Sequence, residues 1–394
     1  MKNRLTEESI KQWWLAEQVG VDRKTVVRWV QGKVKSIQPE NAEALCRILK
    51  CSLDELCLQN EAEQLATPQD QKTAAELLTQ SSLVEKLGPI GEWNVIESLL
   101  KATILQNLPL AVLGQLYNQL TIASWRQGKV DQAEIYNKKA LEIADKLQDK
   151  TVKAQALLSQ GNIFSWRGKT KKSVETYQAC LQYSKFIEPK TVAATYSNLG
   201  AVYYESGHLD LGEEYEKKSI ELFNFHGNPM NLSISFGHLA RIYLLKKTYD
   251  EAKSWCEKSI SFAKQDDYRR GVCFGNLLLS EIYARKNDFS QAKKNLQIAL
   301  KGYQDLKIEE GLNYEFAGRI SRLIGDLESS KAYLEKGVLV SQAFPVEQAG
   351  VYAEFAFTLK AIGQSPDVAI KKAIELYSLS ECDLKAKELQ SIKF

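Results

Sequence analysis

A chain of 394 residues exceeds the size of one ordinary domain, and its 44% hydrophobic and 26% charged residues exclude a disordered or fibrous protein. The formal net charge of +3 excludes nucleic-acid binding through overall charge, so any such surface has to be a local cluster of basic residues. Because no run of about 18 apolar residues occurs and residues 1–4 lead into a polar segment, the sequence predicts a cytoplasmic protein without a membrane partner.

The cysteines and histidines do not follow a pattern that binds metal. None of the seven cysteines forms a C-x-x-C pair, and the three histidines are remote from the closest cysteine cluster, which is Cys46, Cys51 and Cys57. These three cysteines stand at largely apolar positions, which predicts small buried side chains. No nucleophile with a positioned base and no phosphate-binding loop appears. The sequence therefore predicts no metal, no cofactor and no enzymatic activity.

The first predicted elements are two short helices joined by a turn at Gly20. Residues 14–20 read Trp-Leu-Ala-Glu-Gln-Val-Gly, and residues 21–33 read Val-Asp-Arg-Lys-Thr-Val-Val-Arg-Trp-Val-Gln-Gly-Lys. Five basic residues and one acid lie between Asp22 and Lys35, so the positive charge missing from the whole chain is concentrated here. Val26 and Trp29 are spaced for the core of the module. The exposed basic side of the second helix favours double-stranded DNA as a partner.

Residues 6–60 resemble the Xre/Cro-type helix-turn-helix module. The matching residues are Leu15-Ala16-Glu17-x-x-Gly20-Val21, Thr25-Val26-x-x-Trp29-x-x-Gly32-Lys33, Asn41-Ala42-x-x-Leu45 and Cys51-Ser52-Leu53-Asp54-x-Leu56. The resemblance implies that the helix over Arg23–Val30 enters the major groove of an operator. It places Arg23, Lys24 and Arg28 where the family reads bases. It places the remaining contacts on the DNA backbone, at Gln12, Thr25, Lys33 and Lys35.

The chain departs from this family before its second helix. Only ten residues precede Lys11, where the family has a full first helix. We therefore expect Thr6 to Gln18 to form one continuous helix, with Trp13 and Trp14 supplying the bulk that a lost helix would have buried. The predicted DNA-binding domain comprises residues 1–60.

A polar segment follows this domain. Residues 61–85 carry Pro68 and lack a strong apolar stripe, which predicts a linker.

The remainder of the chain is repetitive. Short polar turns recur at intervals of 40, 39, 40, 40, 38 and 38 residues, at Gly128, Gly168, Gly207, Lys247, Asn287, Gly325 and Gly363. Glycine or asparagine at such a turn takes the left-handed conformation that ends one helix and lets the next fold back. Small residues stand five positions after the turns, at Ala133, Ser173, Gly212, Ala252, Ala292 and Ser330, and twelve after, at Ala140, Cys180, Ser219, Ser259, Ala299 and Gly337. This pattern predicts closely packed antiparallel helical hairpins.

These hairpins resemble the tetratricopeptide repeat. Leu199-Gly200-x-x-Tyr203 with Gly207 and Gly212, and Leu239-Ala240-x-x-Tyr243 with Ala252, match its signature. The resemblance covers residues 86–394, as seven repeats preceded by a half-unit around Trp93–Gln106. It implies an all-α protein in which the helix-turn-helix domain precedes a right-handed α-solenoid for ligand binding and dimerisation.

The first helix of each repeat lines the concave face of such a solenoid, and that face binds an extended peptide or a partner. Amide side chains there can pair with a peptide backbone, and arginines can bind a carboxylate bidentately. Counting back from each turn, the predicted ligand-binding residues are Gln115, Asn118, Gln155, Asn162, Asn198, Tyr204, Arg241, Glu281, Arg319 and Arg322. The alternative is that many of them are solvated inner-face residues, as any solenoid has.

A helix-turn-helix module joined to repeats resembles the RRNPP family of quorum-sensing regulators, named for Rap, Rgg, NprR, PlcR and PrgX. The resemblance implies a homodimer whose operator binding is controlled by an oligopeptide held in the repeats. One competing interpretation is a DNA-binding regulator whose repeats bind a protein partner. The other is an enzyme, or an inhibitor of enzymes, of the kind found among repeat-only relatives.

Overall fold

Helices form all the regular structure of this protein in the residues that its computed structural model describes, which are 5, 10–31, 33–34, 37–49, 73, 93–104, 108–226 and 229–392. These ranges hold nineteen α-helices, one 3₁₀ turn over Ser184–Phe186, and no strand. The chain divides into two units, residues 1–77 and 78–394. Of the predicted linker 61–85, only Thr73 is described, so that prediction lies outside the described residues. The all-α class is confirmed.

Three described helices build the first unit: α1 (Gln12–Val19), α2 (Arg23–Val30) and α3 (Pro39–Leu49). Gly20 ends α1 at a φ of 78°, a left-handed conformation that glycine adopts without steric cost. The core is made by buried side chains from all three helices, including Leu15, Val26, Trp29 and Leu45. The prediction that Val26 and Trp29 belong to the core is therefore confirmed.

The prediction of one continuous helix over Thr6–Gln18 is wrong. Lys11 has extended backbone, with φ −80° and ψ 136°, and α1 begins only at Gln12. Leu5 is helical and buried in the core, and its carbonyl accepts a hydrogen bond of 2.9 Å from the Ile10 N–H. Trp13 and Trp14 do not supply core bulk, because they are 52% and 39% exposed.

The second unit begins with the single helix α4 (Trp93–Thr103) and continues as seven antiparallel hairpins. The hairpins are α5 (Leu110–Arg126) with α6 (Val130–Leu147), α7 (Lys150–Trp166) with α8 (Thr170–Leu181), α9 (Pro189–Glu205) with α10 (Leu209–His226), α11 (Pro229–Leu245) with α12 (Tyr249–Gln265), α13 (Arg269–Arg285) with α14 (Phe289–Asp305), α15 (Gly311–Leu323) with α16 (Leu327–Val340), and α17 (Pro345–Ala361) with α18 (Asp367–Leu379). A last helix, α19 (Asp383–Ser391), follows. None of the described helices is long and apolar enough to cross a membrane.

All seven predicted turn residues adopt the left-handed conformation. Their φ values range from 62° at Asn287 to 97° at Gly207, and Lys247 takes it as well at 63°. The small residues predicted at the helix contacts are buried in the first six hairpins, for which they were predicted. Some of them also form a hydrogen bond between the two helices of a hairpin. The Ser173 hydroxyl, for example, donates to the Gly161 carbonyl at 2.8 Å. The solenoid of tetratricopeptide-like hairpins predicted from the sequence is confirmed.

The last helices of the solenoid return to its second and third hairpins. The Lys171 backbone N–H donates to the Glu381 carboxylate at 2.8 Å, across 210 residues of sequence. The rings of Trp166 and Phe344 meet edge to face at 4.8 Å. A Cβ added to Gly207 would lie 3.0 Å from that of Leu384 on α19. These contacts place the last helices beside the second and third hairpins.

Glu347 makes the stability of the solenoid depend on pH. Its Oε1 accepts a hydrogen bond of 2.8 Å from the Leu312 N–H, at the start of α15. Burial is the largest cause that raises the pKa of Glu347, to about 7, and the carboxylates of Glu310 and Glu315 add to it. The protonated form is thus favoured in the folded state. The resulting stability is fully present below the ordinary pKa of 4.5 and is lost as the pH rises through about 7.

We expect Glu347→Gln to remove this pH dependence, because glutamine keeps the acceptor for the Leu312 N–H but does not titrate. The effect in the wild type is at most about 3 kcal/mol, reduced by solvent screening of a half-buried group. Urea unfolding of both proteins between about pH 5 and pH 8 measures it. Burial also raises the pKa of Glu216, which titrates in both proteins, so the difference between them isolates Glu347. Parallel pH profiles would contradict the assignment.

Candidate functional site

The helix α2 is fixed at its start by a cap. Asp22 accepts a hydrogen bond of 3.0 Å from the Thr25 backbone N–H and a second from the Thr25 hydroxyl. Both bonds lower the pKa of Asp22, and the bond from the hydroxyl has the larger effect. The cap satisfies a backbone donor that α2 leaves free. Because both the hydroxyl and the N–H of Thr25 donate to Asp22, its predicted contact to the DNA backbone requires rearrangement of the cap.

The predicted base-reading residues lie on the outside of α2. Arg23, Lys24 and Arg28 are exposed, whereas Val26 and Trp29 hold the opposite side of the helix in the core. Long cations on a rigid, capped helix can reach base edges, and arginine prefers the O6 and N7 atoms of guanine.

The predicted backbone contacts flank this surface. Lys33 is exposed just after α2, where its N–H donates to the Arg28 carbonyl at 2.8 Å, and Gln12 is half-buried at the start of α1. Lys35 lies outside the described residues. The roles of all these side chains stay predictions.

In the second unit, the predicted amides pair with one another across neighbouring repeats. The Asn118 amide on α5 donates to the Val152 carbonyl at 3.2 Å and to the Gln155 Oε1 on α7 at 3.4 Å. The Asn198 amide on α9 donates to the Asn162 Oδ1 on α7 at 2.8 Å. The first three hairpins therefore present a row of amides, with half-buried Gln115 at its start.

Asn162 also supports the fold. Its Oδ1 accepts a hydrogen bond of 2.6 Å from the hydroxyl of Tyr177, whose ring is 2% exposed. Burial raises the pKa of Tyr177, so the phenol stays protonated and needs an acceptor. Replacement of Asn162 would leave that hydroxyl unpaired, at a cost of about 1–3 kcal/mol. A variant at Asn162 consequently reports on stability as well as on ligand binding.

The middle of the groove holds a polar cluster that the sequence analysis missed. The fully buried Glu216 carboxylate lies 2.6 Å from the His238 Nδ1 and accepts a hydrogen bond of 3.0 Å from the Ser197 hydroxyl. Burial raises the pKa of Glu216 more than His238 lowers it. Glu216 belongs to the second helix of its hairpin, so counting inward positions on first helices could not find it. The Tyr204 ring packs on His238, with centroids 5.6 Å apart.

Arg241 on α11 lies between two aromatic rings. Its guanidinium carbon is 5.3 Å from the Tyr204 centroid and 5.5 Å from that of Phe316. The nearest ion-pair oxygen in the described chain belongs to Glu205, at 3.7 Å from Nη1. The strongest charge-assisted hydrogen bonds are about 2.7–2.9 Å long, so the contact between Arg241 and Glu205 is a weaker one.

The far end of the groove is a network of ion pairs centred on Arg319. Its guanidinium contacts Glu281 at 3.2 Å, Glu315 at 3.0 Å and Glu354 at 3.3 Å. The contact with Glu281 is electrostatic rather than an aligned hydrogen bond. Burial lowers the pKa of Arg319, but the three carboxylates outweigh it and raise the pKa, so Arg319 is charged.

Two more arginines complete this network. Arg285 lies 2.6 Å from Glu281, and Arg322 lies 2.8 Å from Glu354. Three guanidinium groups thus offset three carboxylates. The structure brings together the predicted Glu281, Arg319 and Arg322. Glu354 was missed, although it stands nine residues before Gly363, just as the predicted Asn198 stands nine before Gly207.

A cavity of about 170 Å³ opens beside this network. Helices α11, α13, α15, α17, α18 and α19 contribute to its wall, which includes Arg241, Glu281, Arg319, Glu354 and Lys385. The lining combines both charges with the apolar side chains of Leu244, Phe316, Phe357 and Leu389. Such a mixture suits a small ligand group that carries charge on an apolar stem.

Comparison with known families defines the class of the protein. Residues 1–58 match the family described as the Cro/C1-type HTH DNA-binding domain, and residues 235–266 match the tetratricopeptide repeat. The chain therefore combines an N-terminal helix-turn-helix domain of the Cro/C1 type with tetratricopeptide repeats, as the sequence predicts.

Solved structures extend the likeness over most of the chain. A Rap protein complexed with competence and sporulation factor has a TM-score of 0.61 at 13% identity, covering 96% of this chain and 100% of that chain. The apo form of the quorum sensor NprR from B. thuringiensis has a TM-score of 0.54 at 16% identity, covering 85% and 96%. At these identities the likeness to RRNPP proteins is one of fold.

One curated protein matches part of the chain. The 43 kDa receptor-associated protein of the synapse from Tetronarce californica is 25% identical over 150 residues, or 37% of this chain. The chain spans 36% of the length of that relative.

Proposed function

We propose that this protein is a cytoplasmic, sequence-specific transcriptional regulator whose DNA binding is controlled by an oligopeptide held in the concave face of its repeats. One observation carries the proposal: a capped helix with exposed arginines, in a Cro/C1-type domain, shares the chain with a solenoid whose inner face is lined by paired amides and ion pairs. The first part can read DNA, and the second can recognise a polar extended ligand.

The DNA-reading role is assigned to Arg23, Lys24 and Arg28. All three are exposed on α2, and the net charge of +3 leaves no general attraction to DNA that could replace them. Gln12, Thr25, Lys33 and Lys35 are assigned to the phosphate backbone. Two half-sites in an operator require two such helices, so we infer a homodimer.

The peptide-binding role is assigned to the concave face. An amide pair such as Asn162 with Asn198 has remaining donor and acceptor capacity, which matches the alternating groups of an extended backbone. NprR, described as a quorum sensor, and the Rap protein complexed with competence and sporulation factor share this fold, which supports the assignment by analogy. A protein partner in the same groove is the alternative.

Control of DNA binding requires a ligand that binds two shapes of the solenoid with different affinity. Contacts between repeats could distinguish the two shapes, because a rotation between neighbouring hairpins would change the distance within pairs such as Asn162–Asn198. Residues 61–85 would transmit the change. The proposal assigns no catalytic activity to the chain.

Selection of bound genomic fragments by the full-length protein tests both parts. The selection is made in buffer, with the small-peptide fraction of spent culture medium, and with the same fraction after protease digestion. We expect enrichment of a two-half-site sequence, altered by the intact fraction and not by the digested one. Failure to enrich any sequence would reject the DNA-reading role. Enrichment that no fraction alters, while a cell lysate does, would favour a protein partner.

A further inference from the structure

Two cations of the groove stand outside its ion-pair network. Arg241 has Glu205 at 3.7 Å. Lys385 on α19 makes no ion pair with any residue in the described ranges, and its ammonium lies 5.6 Å from the centroid of the Tyr377 ring. Both line the cavity of about 170 Å³. The carboxylates of Glu281, Glu315 and Glu354 are already shared among Arg285, Arg319 and Arg322.

The positive charge of Arg241 acts on Lys385. The pKa of Lys385 is lowered, first by burial and next by Arg241, whose effect is larger than the opposing effect of either Glu315 or Glu205 alone. Two like charges held beside one cavity repel, and an anion placed between them removes the repulsion. Glu388 lies on the same wall but makes no ion pair with Lys385 in the described chain.

We propose that the cavity between Arg241 and Lys385 binds a carboxylate of the ligand, either its C-terminus or an acidic side chain. The planar guanidinium offers a bidentate contact to such a group, and the ammonium completes the charge. The wall beside it, with Phe316 and Leu389, accepts the apolar stem that carries the carboxylate. This inference rests on the proposed peptide-binding function and names the chemistry of one subsite.

The site joins two parts of the solenoid that are distant in sequence. Arg241 comes from the fourth hairpin, whereas Lys385 comes from the helix that returns to the second and third hairpins through Glu381 and Leu384. A bound carboxylate therefore links α11 to α19. Ligand binding would hold the fourth hairpin and α19 together.

Thermal unfolding of the full chain with sodium acetate, compared with sodium chloride at equal ionic strength, tests the site without DNA or peptide. We expect acetate to raise the unfolding midpoint of the solenoid by about 2–4 °C at saturating concentration. Arg241→Gln and Lys385→Gln should each lose most of this rise. Lys387→Gln is the matched control, because Lys387 is an exposed lysine on the same helix.

The unfolding midpoint in sodium chloride shows whether a variant is folded normally. In Lys385→Gln, removal of one of two repelling cations should leave that midpoint unchanged or raised, so a fall of several degrees would mean that Lys385 is part of a structural pair and would overturn the proposal. Arg241→Gln also loses the contacts of Arg241 with Tyr204, Phe316 and Glu205, so its response to acetate is compared with its own midpoint in chloride. An equal acetate response in the Lys385→Gln and Lys387→Gln variants would overturn it too. A response to inorganic phosphate alone would reject a carboxylate ligand. Because no DNA is present, a negative result for the carboxylate site can be distinguished from a negative result for the proposed regulation of DNA binding.

Discussion

Replacement of Arg23 and Arg28 together by alanine is expected to weaken operator binding by roughly 30- to 10⁴-fold, since a bidentate contact to a base is worth about 1–3 kcal/mol. Both side chains are exposed, whereas the core of the domain is built by Val26 and Trp29 on the other side of α2. The helix and its Asp22 cap should therefore persist. Fluorescence anisotropy on the selected operator, at one fixed salt concentration, measures the loss.

The matched control is Arg47→Ala, which removes an exposed arginine from α3 of the same domain and leaves α2 unchanged. Its effect should be small. Loss of a phosphate contact, as in Lys33→Ala, should weaken binding to all sequences alike and reduce the salt dependence by about one counterion. Unchanged affinity of the double variant for the operator would remove Arg23 and Arg28 from the DNA-reading surface.

The helix-turn-helix domain could be predicted because its signals are local. The αL turn at Gly20, the Asp22 cap and the spacing of Val26 and Trp29 are each set within a few residues. The start of α1 could not be predicted, because no helix-breaking residue marks it. The backbone at Lys11 is extended, and Leu5, on the other side of Lys11 from α1, is buried in the domain core.

The hairpins of the solenoid could be predicted for the same reason, from residues that tolerate a left-handed backbone. Further left-handed turns follow the second helix of four hairpins and were not predicted, because their residue types are not typical of a positive φ. These turn residues are Gln148, Asp267, Lys307 and Glu381. The return of α19 to the second hairpin was also beyond sequence reasoning. The bond between Lys171 and Glu381 joins positions 210 residues apart, and its formation depends on the accumulated rotation of every hairpin between them.

The sequence predicts which residues line the groove, but it does not predict the hydrogen bonds and ion pairs between them. Counting back from each turn found Asn162, Asn198, Glu281 and Arg319. Their partners lie about one repeat away, as with Asn162 and Asn198 at 36 residues, and the angle between neighbouring hairpins decides which groups meet. Side chains read as free ligand contacts are thus already engaged with each other. A ligand has to use their remaining capacity or displace a partner.

Arg319→Met is expected to destabilise the solenoid by about 3–5 kcal/mol, because it leaves buried carboxylates without their shared cation. Glu281 is 2% exposed, Glu315 is 7% exposed and Glu354 is 8% exposed, so water replaces the lost guanidinium poorly. Glu281 retains Arg285 and Glu354 retains Arg322, but Glu315 has no second ion-pair partner in the described chain. Hydrogen exchange of the amides in α13, α15 and α17 measures the loss where it arises.

Two further variants separate charge from packing. Arg322→Met is the matched control, since Arg322 is 22% exposed and Glu354 is its one ion-pair partner in the described chain, and its effect should be about 1 kcal/mol. The methionine side chain can still pack on the Phe357 ring, over which the Arg322 guanidinium lies at 5.3 Å. Adding Glu315→Gln to Arg319→Met should recover part of the loss, because it removes the carboxylate that has lost its ion-pair partner. If Arg319→Met changed exchange no more than Arg322→Met does, the network would be a solvated surface and the groove would have its arginines free for a ligand. If instead the double variant recovers stability, the pairing of these charges sets the shape that a ligand has to recognise.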